Sequence, residues 1–324
     1  MSLERENYKI SIKSIDELLN CVTLASLLEI AGWPKPGNVH RTKDFGNTKF
    51  EHFLAGIIVI QPTFREFCEK IYRISFKNDN DYSKIELGYF YKKAVKEMMK
   101  WQKGGNVLLG HILILGPLAA AATICIKNGK NSINKLKYYL KSIIENSSVN
   151  DTIELYKAIR LSNPGGLGTI EKYDINDENS ANHLIKDGMN LKKIFEYSKD
   201  YDSISSEYST GFNIILSEGL PYFINSFNLY RDINIATVNT YLKLLSKYPD
   251  TLVIRKSGLG SALYISKVAS NIVEYGGISS NEGLKLTLEL DKELQEKNGQ
   301  LNPGTTADLI SGVIFCALLF GLKF

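Results

Sequence analysis

The chain has 324 residues, enough to bury one large core or to split into two domains. With 44% hydrophobic and 23% charged residues it has the composition of an ordinary globular protein, which excludes a disordered or fibrous chain. The net charge of +4 comes from lysines scattered among acids, so there is no concentrated basic face and a nucleic-acid partner is not expected. The four cysteines, Cys21, Cys68, Cys125 and Cys316, form no CxxC pair and fall in apolar helical patterns, as reduced core residues do. The opening MSLERENYKI has no apolar signal region, and a cytosolic location is expected.

Taken in order, helical signals recur and strand signals are scarce. Ser14 and Glu17 form a capping box ahead of a helix whose Ile15, Leu18, Leu19 and Val22 share one face. It ends at Gly32, since Pro34 and Pro36 forbid its continuation. A loop dense in turn residues and cations follows, WPKPGNVHRTKDFGNTK. Thr48 with Glu51 predicts a short helix to Ile60, and Pro62 the first turn of the next. Ser83 with Glu86 predicts a helix reaching Lys103.

The stretch WQKGGNVLLGHILILGPLAAAATICI, 101–126, is the most apolar of the sequence, and only His111 and Thr123 interrupt it with polar side chains after Asn106. A helix apolar on every side sits in a core or a membrane. The run is long enough to span a bilayer, but His111, Gly116, Pro117 and the small-residue AAAA tail favour a buried core helix. Beyond it, a lysine-rich amphipathic helix to Glu145 is expected, then one capped by Asp151 with Glu154 and stopped at Asn163-Pro164. The residues 164–183 carry no periodic pattern, as in a lid, a binding loop or a disordered stretch. Further helices are predicted near 182–199, 206–218, 221–228, 235–247, 258–275, 282–297 and 306–322. The expectation is all-α: one large multi-helix domain over 1–324 around a buried apolar central helix.

Four corners offer chemistry. Lys35, Gly37, Asn38, His40 and Arg41, with Asp44 beyond, form a rigid basic loop that can grip phosphate, or a solvated turn. Lys103, Gly104, Gly105 and Asn106 place a cation and free N–H groups where an anion is favoured, or make a simple corner. Gly304, Thr305, Thr306 and Asp308 open a last helix, where a carboxylate is also what capping selects. Arg255 and Lys256 stand at another glycine turn, with Asp250 as a surface partner in the plainer reading. Glu29, Asp151 and Glu218 are acids in apolar helical surroundings. Together these suggest a polyanionic ligand with a divalent metal, although no GxxxxGK[ST], GxGxxG after a strand, HExxH or zinc spacing is present.

At PKPGNVHR the sequence resembles the triphosphoribosyl-dephospho-CoA synthase family, as a diverged branch. The matching pieces run nearly end to end: LLEIAGWPKPGNVHRTKDF, GGNVLLGHILILGPLAAAA, DTIELYKAIRLSNPGGLG, TGFNIILSEGLP, YPDTLVIRKSG and NPGTTADL, with KPG, GGN and PGTTADL the most specific. The resemblance implies an all-helical transferase that joins ATP to 3′-dephospho-CoA and releases adenine. A ribose 2′-hydroxyl would attack C1 of the ATP ribose through an oxocarbenium-like transition state. Mg²⁺ would accompany the triphosphate, with ATP and dephospho-CoA as partners.

On that resemblance Lys35, Arg41, Lys103, Arg255 and Lys256 are assigned to phosphates. Gly37, Asn38, His40, Gly104, Gly105, Asn106, Gly304, Thr305 and Thr306 supply further substrate contacts. Asp308 and Glu29 are expected as metal ligands or general base, with Asp44 and Asp151 as further catalytic carboxylates. Family members carry roughly GGVNTHKG at the central corner; here Asn106 is followed by VLLGH without that lysine, and RTKDFGNTKF replaces a histidine-rich stretch. These departures fall on the acceptor side. A different acceptor for a (phospho)ribosyl group in cofactor biosynthesis, and a non-catalytic nucleotide-binding protein, stay open. No membrane partner is expected, and a homodimer is left open.

Overall fold

A computed structural model describes residues 8–168, 170 and 172–324. Among these the secondary structure is helical: fourteen α-helices, with only isolated two-residue bridges and no strand. The core is built on two apolar helices. In α4 (Leu109–Lys127) every residue from Leu109 to Cys125 is buried. In α14 (Gly304–Leu319) Asp308 is the one residue between Thr305 and Leu319 that is not. The remaining helices wrap this pair. On one side are α1 (Ile15–Ala31), α2 (Phe50–Arg73), α3 (Leu87–Trp101) and α5 (Ile133–Glu145), and on the other α10 (Leu220–Tyr230), α11 (Ile233–Lys247) and α12 (Thr251–Glu274).

The helix α4 has the length and apolarity of a membrane span, yet 89% of that window is buried inside the fold. Its partner is α14, and the two run parallel. A methyl group placed on Gly110 would lie 2.0 Å from Asp308 Oδ2, and one on Gly312 would lie 2.7 Å from Ile114 Cγ2. Residues 110 and 114 of one helix therefore face 308 and 312 of the other, in the same direction. Absent side chains at Gly110 and Gly312 let the two backbones close, and they bring both N-termini to one end of the molecule.

Pro117 sits inside α4 and cannot donate to the carbonyl of Leu113 four residues earlier. The Tyr208 hydroxyl, from α9 (Ser203–Thr210), donates to that carbonyl at 2.6 Å. Tyr91 of α3 in turn contacts the Tyr208 hydroxyl, so the gap left by proline is filled by a buried polar chain. Glu207 next to it is fully buried and accepts from Ile214 N at 2.8 Å and Ile215 N at 2.9 Å. It thereby caps a π-helical segment, Ile214–Gly219, where one regular helix was expected from 206 to 218.

Several predicted boundaries shift for physical reasons. The helix α2 runs unbroken through Pro62, because the carbonyl it orphans belongs to Ile58, 58% exposed and open to water. Its N-cap is Lys49, while Thr48 instead donates to Gly104 O at 2.7 Å. Glu86 does not close a capping box with Ser83; it takes a left-handed conformation between a 3₁₀ turn (Asp79–Ile85) and α3. In α6 (Val149–Ser162) the cap is Ser148, with Asp151 returning the bond to Ser148 N at 2.7 Å. The predicted start at Gly258 is a kink within α12, which begins at Thr251 under the Asp250 cap. The predicted helix at 182–199 is two, α7 (Ser180–Lys186) and α8 (Leu191–Ser198), and α13 (Asn281–Gln295) lies where expected.

Candidate active site

The aligned N-termini of α4 and α14 open onto a cleft of two compartments, about 110 Å³ and about 340 Å³. Asn106, Gly110, Leu252 and Asp308 line both, so Asp308 stands at their junction. The smaller compartment is bounded by the last turn of α1, the loop after it, and the starts of α4 and α14.

Four ionisable groups meet there. Lys35, fully buried, folds back onto α1: its Nζ donates to Glu29 O at 2.8 Å and pairs with Glu29 Oε1. His111 Nε2 lies 3.2 Å from Glu29 Oε2 and 3.7 Å from Asp308 Oδ1. Burial opposes the charge of Glu29, but Lys35 and His111 outweigh it and hold the carboxyl below its usual range. Asp308 goes the other way. Although half-buried, its carboxyl is desolvated by the packed groups around it and pushed up to about 7; His111 pulls it down and the Glu29 charge adds to the rise. Two carboxylates flanking one imidazole are thus held in opposite states, Glu29 ionised and Asp308 poised to exchange a proton near neutrality.

The loop that carries Lys35 is clamped from behind. Asp291 of α13 accepts from Gly37 N at 3.0 Å and bonds His40 Nε2 at 3.0 Å. Thr42 N donates to His40 Nδ1 at 3.4 Å, which assigns the His40 proton to Nε2. Asn38 Nδ2 donates to the Tyr241 hydroxyl at 2.8 Å, the Tyr241 hydroxyl to Pro36 O at 2.8 Å, and Gln295 Nε2 to Asn38 O at 2.7 Å. The expected phosphate grip of Gly37, Asn38 and His40 is therefore a buried clamp, in which only Asn38 reaches the cleft.

Other expected residues are placed elsewhere. Arg41 turns outward to Ala31 O at 2.6 Å and Asn234 Oδ1 at 3.1 Å. Asp44 is exposed and accepts from Phe50 N at 2.8 Å at the start of α2. Asp151 caps α6 and also accepts from Gly88 N at 2.9 Å, joining α6 to α3. Lys103 is exposed and lines neither compartment, as do neither Gly104 nor Gly105. Asn106 lines both, with its Oδ1 accepting from Leu109 N at 3.1 Å. Asp250 is buried and accepts from Thr306 N at 2.6 Å and Thr306 Oγ1 at 2.8 Å, so Thr306 is committed to the α12 cap and Asp250 is no partner of Arg255.

Arg255 bonds Asp202 at 3.0 Å on the wall of the larger compartment. Lys256 donates to Gly299 O at 3.0 Å. Thr305 lines the larger compartment and Gly304 the smaller. The glycine loop after α6 packs on the turn at Arg255 and Lys256: a methyl on Gly166 would lie 3.2 Å from Arg255 Cβ. Pro164, Gly165, Leu167 and Gly168 of that loop line the larger compartment, whose remaining wall includes Tyr173, Phe195, Tyr197 and Tyr201.

Glu29 and Asp308 do not form the expected metal pair. Both Glu29 oxygens are taken, by Lys35 and His111, and His111 stands between the two acids. Among the described residues no three His, Cys, Asp or Glu side chains are arranged to hold a metal ion. The donor set does not fit a cation caged by the protein.

Residues 15–323 match the sequence profile of the ATP:dephospho-CoA triphosphoribosyl transferase family. The chain belongs to this family. Proteins of Salmonella gallinarum and Salmonella typhi, each named as a 2-(5″-triphosphoribosyl)-3′-dephosphocoenzyme-A synthase, are 30% identical to it over 105 residues. That alignment spans 32% of this chain and 34% of each relative, about a third of the length of these curated relatives. The crystal structure of a candidate triphosphoribosyl-dephospho-CoA synthase from Archaeoglobus fulgidus superposes with a TM-score of 0.61 at 27% identity, covering 83% of this chain and all of that one. Within this triphosphoribosyl transferase fold, His111 and Asn302 line the cleft without having been singled out as site residues from the sequence. The one available signal was an ionisable side chain about one turn into the apolar run.

Proposed function

We propose that the chain transfers the triphosphoribosyl group of ATP to the ribose 2′-hydroxyl of 3′-dephospho-CoA and releases adenine. The observation that carries this reading is the placement of Glu29 and Asp308 on either side of His111, 3.2 Å and 3.7 Å from its Nε2, with Asp308 at the junction of the two compartments. Such a reaction needs a base for the attacking hydroxyl and a fixed negative charge beside the cationic sugar. Asp308, near 7, accepts the hydroxyl proton as the new C1–O bond forms. Glu29, held ionised between Lys35 and His111, fixes the imidazole beside Asp308, while the bond from C1 to the base breaks and its electron pair leaves with adenine. The departing base takes up a proton from solvent, and Asp308 returns the hydroxyl proton to solvent, so the step is balanced.

Mg²⁺ belongs to the substrate in this reading, carried in on the phosphate oxygens of ATP. The glycine loop, Arg255 and the α4 N-terminus supply the donors that a triphosphate requires.

The apolar and aromatic wall of the larger compartment favours a second reading for the acceptor alone, in which a different hydroxyl compound replaces dephospho-CoA. The deciding experiment is adenine release from ATP and Mg²⁺, with and without dephospho-CoA, followed by chromatography. Release that depends on dephospho-CoA supports the first reading. Slow release indifferent to it supports the second, and a protein that binds ATP but releases no adenine under either condition sinks the first.

A further inference from the structure

Five residues line both compartments: Asn106, Leu109, Gly110, Leu252 and Asp308. Only Asn106 and Asp308 have polar side chains, and the first turn of α4 brings the two together. Asn106 Oδ1 accepts from Leu109 N at 3.1 Å. The Asp308 carboxylate lies against the next residue, since a methyl on Gly110 would stand 2.0 Å from its Oδ2. An amide and a carboxylate thus sit on adjoining residues where molecules held in the two compartments meet.

The bond to Leu109 fixes how the amide is turned. Its oxygen is spent on that N–H, so the NH₂ group is the end left for another partner. Nδ2 has no partner among the described residues and is open to the cleft, unlike His111 Nδ1 and Asn302 Oδ1, which are unpartnered but sealed inside. Asp308, its side chain 23% exposed, receives no hydrogen bond from the described residues, and His111 Nε2 stands 3.7 Å from its Oδ1. An open donor beside an open acceptor matches a hydroxyl, which accepts one hydrogen bond and donates another. A phosphate oxygen would satisfy the amide and be repelled by the carboxylate; an ammonium would do the reverse.

We propose that Asn106 holds the attacking hydroxyl for Asp308: its N–H donates to the hydroxyl oxygen and turns the O–H toward the carboxylate. This rests on the transferase reading with dephospho-CoA, whose ribose 2′-hydroxyl is the group held. One lone pair of that oxygen stays on the amide N–H and another forms the bond to C1 of the ATP ribose. The proton passes to Asp308, and the electron pair of the broken bond leaves with adenine. Asn106 gives up no proton; it takes away the freedom of the hydroxyl to turn from the reacting carbon.

Asn106→Ser separates this role from helix capping, because serine keeps an acceptor for Leu109 N but ends short of the position that Nδ2 occupies. Adenine release from ATP and Mg²⁺ is measured with and without dephospho-CoA, alongside denaturant unfolding and calorimetric titration with ATP. The variant should unfold at the wild-type midpoint and bind ATP within about twofold, while kcat with dephospho-CoA falls about 10- to 100-fold. Asn106→Asp also keeps the cap, but puts a second carboxylate beside Asp308, which already feels His111, Glu29, Asp250 and Asp202. A like charge disfavours the ionised form, so the rise of rate with pH, expected through about 7 in wild type, should move upward. Unchanged kcat in Asn106→Ser, or a fall matched by a loss of stability or of ATP binding, would overturn the assignment. An unmoved pH profile in Asn106→Asp would do the same. In either case wild-type release that depends on dephospho-CoA keeps the transferase reading. Wild-type release that ignores dephospho-CoA, or no release at all, removes that reading and the assignment with it.

Discussion

Two loops line the cleft, one after α1 and one after α6, and both are rich in proline and glycine. Their supports differ. The loop after α1 is held by buried groups: Asp291 on Gly37 N and His40, Tyr241 on Asn38 and Pro36, and Gln295 on Asn38. The loop after α6 has one buried anchor, Tyr156 donating to Tyr173 O at 2.8 Å, and its other described bonds lie toward the rim. Arg160 donates to Asp177 O at 2.9 Å, and Asp174 takes Asn176 N at 2.7 Å and Ile170 N at 3.1 Å. Hydrogen bonds in a dry interior cannot be exchanged for water and fix one geometry, while bonds at a wet surface are replaced at little cost. The first loop can therefore set Lys35 and, through it, the charge of Glu29. The second is suited to shaping and covering a substrate.

The contrast can be broken most severely at Lys35. In Lys35→Met, Glu29 becomes a buried charge with half its support gone, and unfolding by denaturant should show a loss of about 3–5 kcal/mol. Because the folded pKa of Glu29 is depressed, its contribution to stability is present above the ordinary carboxylate range and fades as pH falls; the variant should lack that acid-side decline. Next is Asp308→Asn, which should stay folded while adenine release falls about 10²–10⁴-fold. The wild-type rate should rise with pH through about 7, as Asp308 becomes able to accept a proton, and a rate flat from pH 6 to 8 would remove Asp308 from that role. Asp291→Ala frees Gly37 N–H and His40 in the interior and should cost about 1–3 kcal/mol, with kcat reduced although the residue touches no substrate. Smallest is Arg160→Ala, expected at about 1 kcal/mol or less in thermal unfolding and visible chiefly as a raised KM for the acceptor. A stability loss for Arg160→Ala as large as that for Asp291→Ala would abolish the distinction between the loops.

What could be read in the sequence follows from how local each signal is. The helices α4, α5 and α14 carry their own pattern, and the structure keeps them within a few residues of expectation. Boundaries slipped where the deciding partner was distant. Pro62 reads as a break until Ile58 is known to face water. Asp151 and Glu154 read as a capping box, but Ser148 precedes Asp151 by three and Glu154 is drawn off to Lys92 and Lys157. In the site, Glu29, Lys35, Asn106 and Asp308 were legible because each sits at a glycine- or proline-marked corner. His40 and Arg41 looked alike as cations in one turn. Only Asp291, 251 positions further along the chain, makes His40 an internal strut, and nothing near position 40 announces it. Asn302 acquires its place from the parallel docking of α14 on α4, which no local pattern encodes.

The arrangement at Pro117 also limits the routes by which this chain can change. The Tyr208 hydroxyl occupies a carbonyl that is free only because position 117 has no N–H. Losing the hydroxyl first, as in Tyr208→Phe, strands both Leu113 O and the Tyr91 hydroxyl in the core. Losing the proline first, as in Pro117→Ala, restores a helical donor to Leu113 O, so that a later loss of the Tyr208 hydroxyl strands only the Tyr91 hydroxyl. The two single steps lead to the same double variant, yet one passes through a valley and the other does not. Lineages should therefore be found with proline and tyrosine together, or without proline and either residue at 208, and rarely with proline alone.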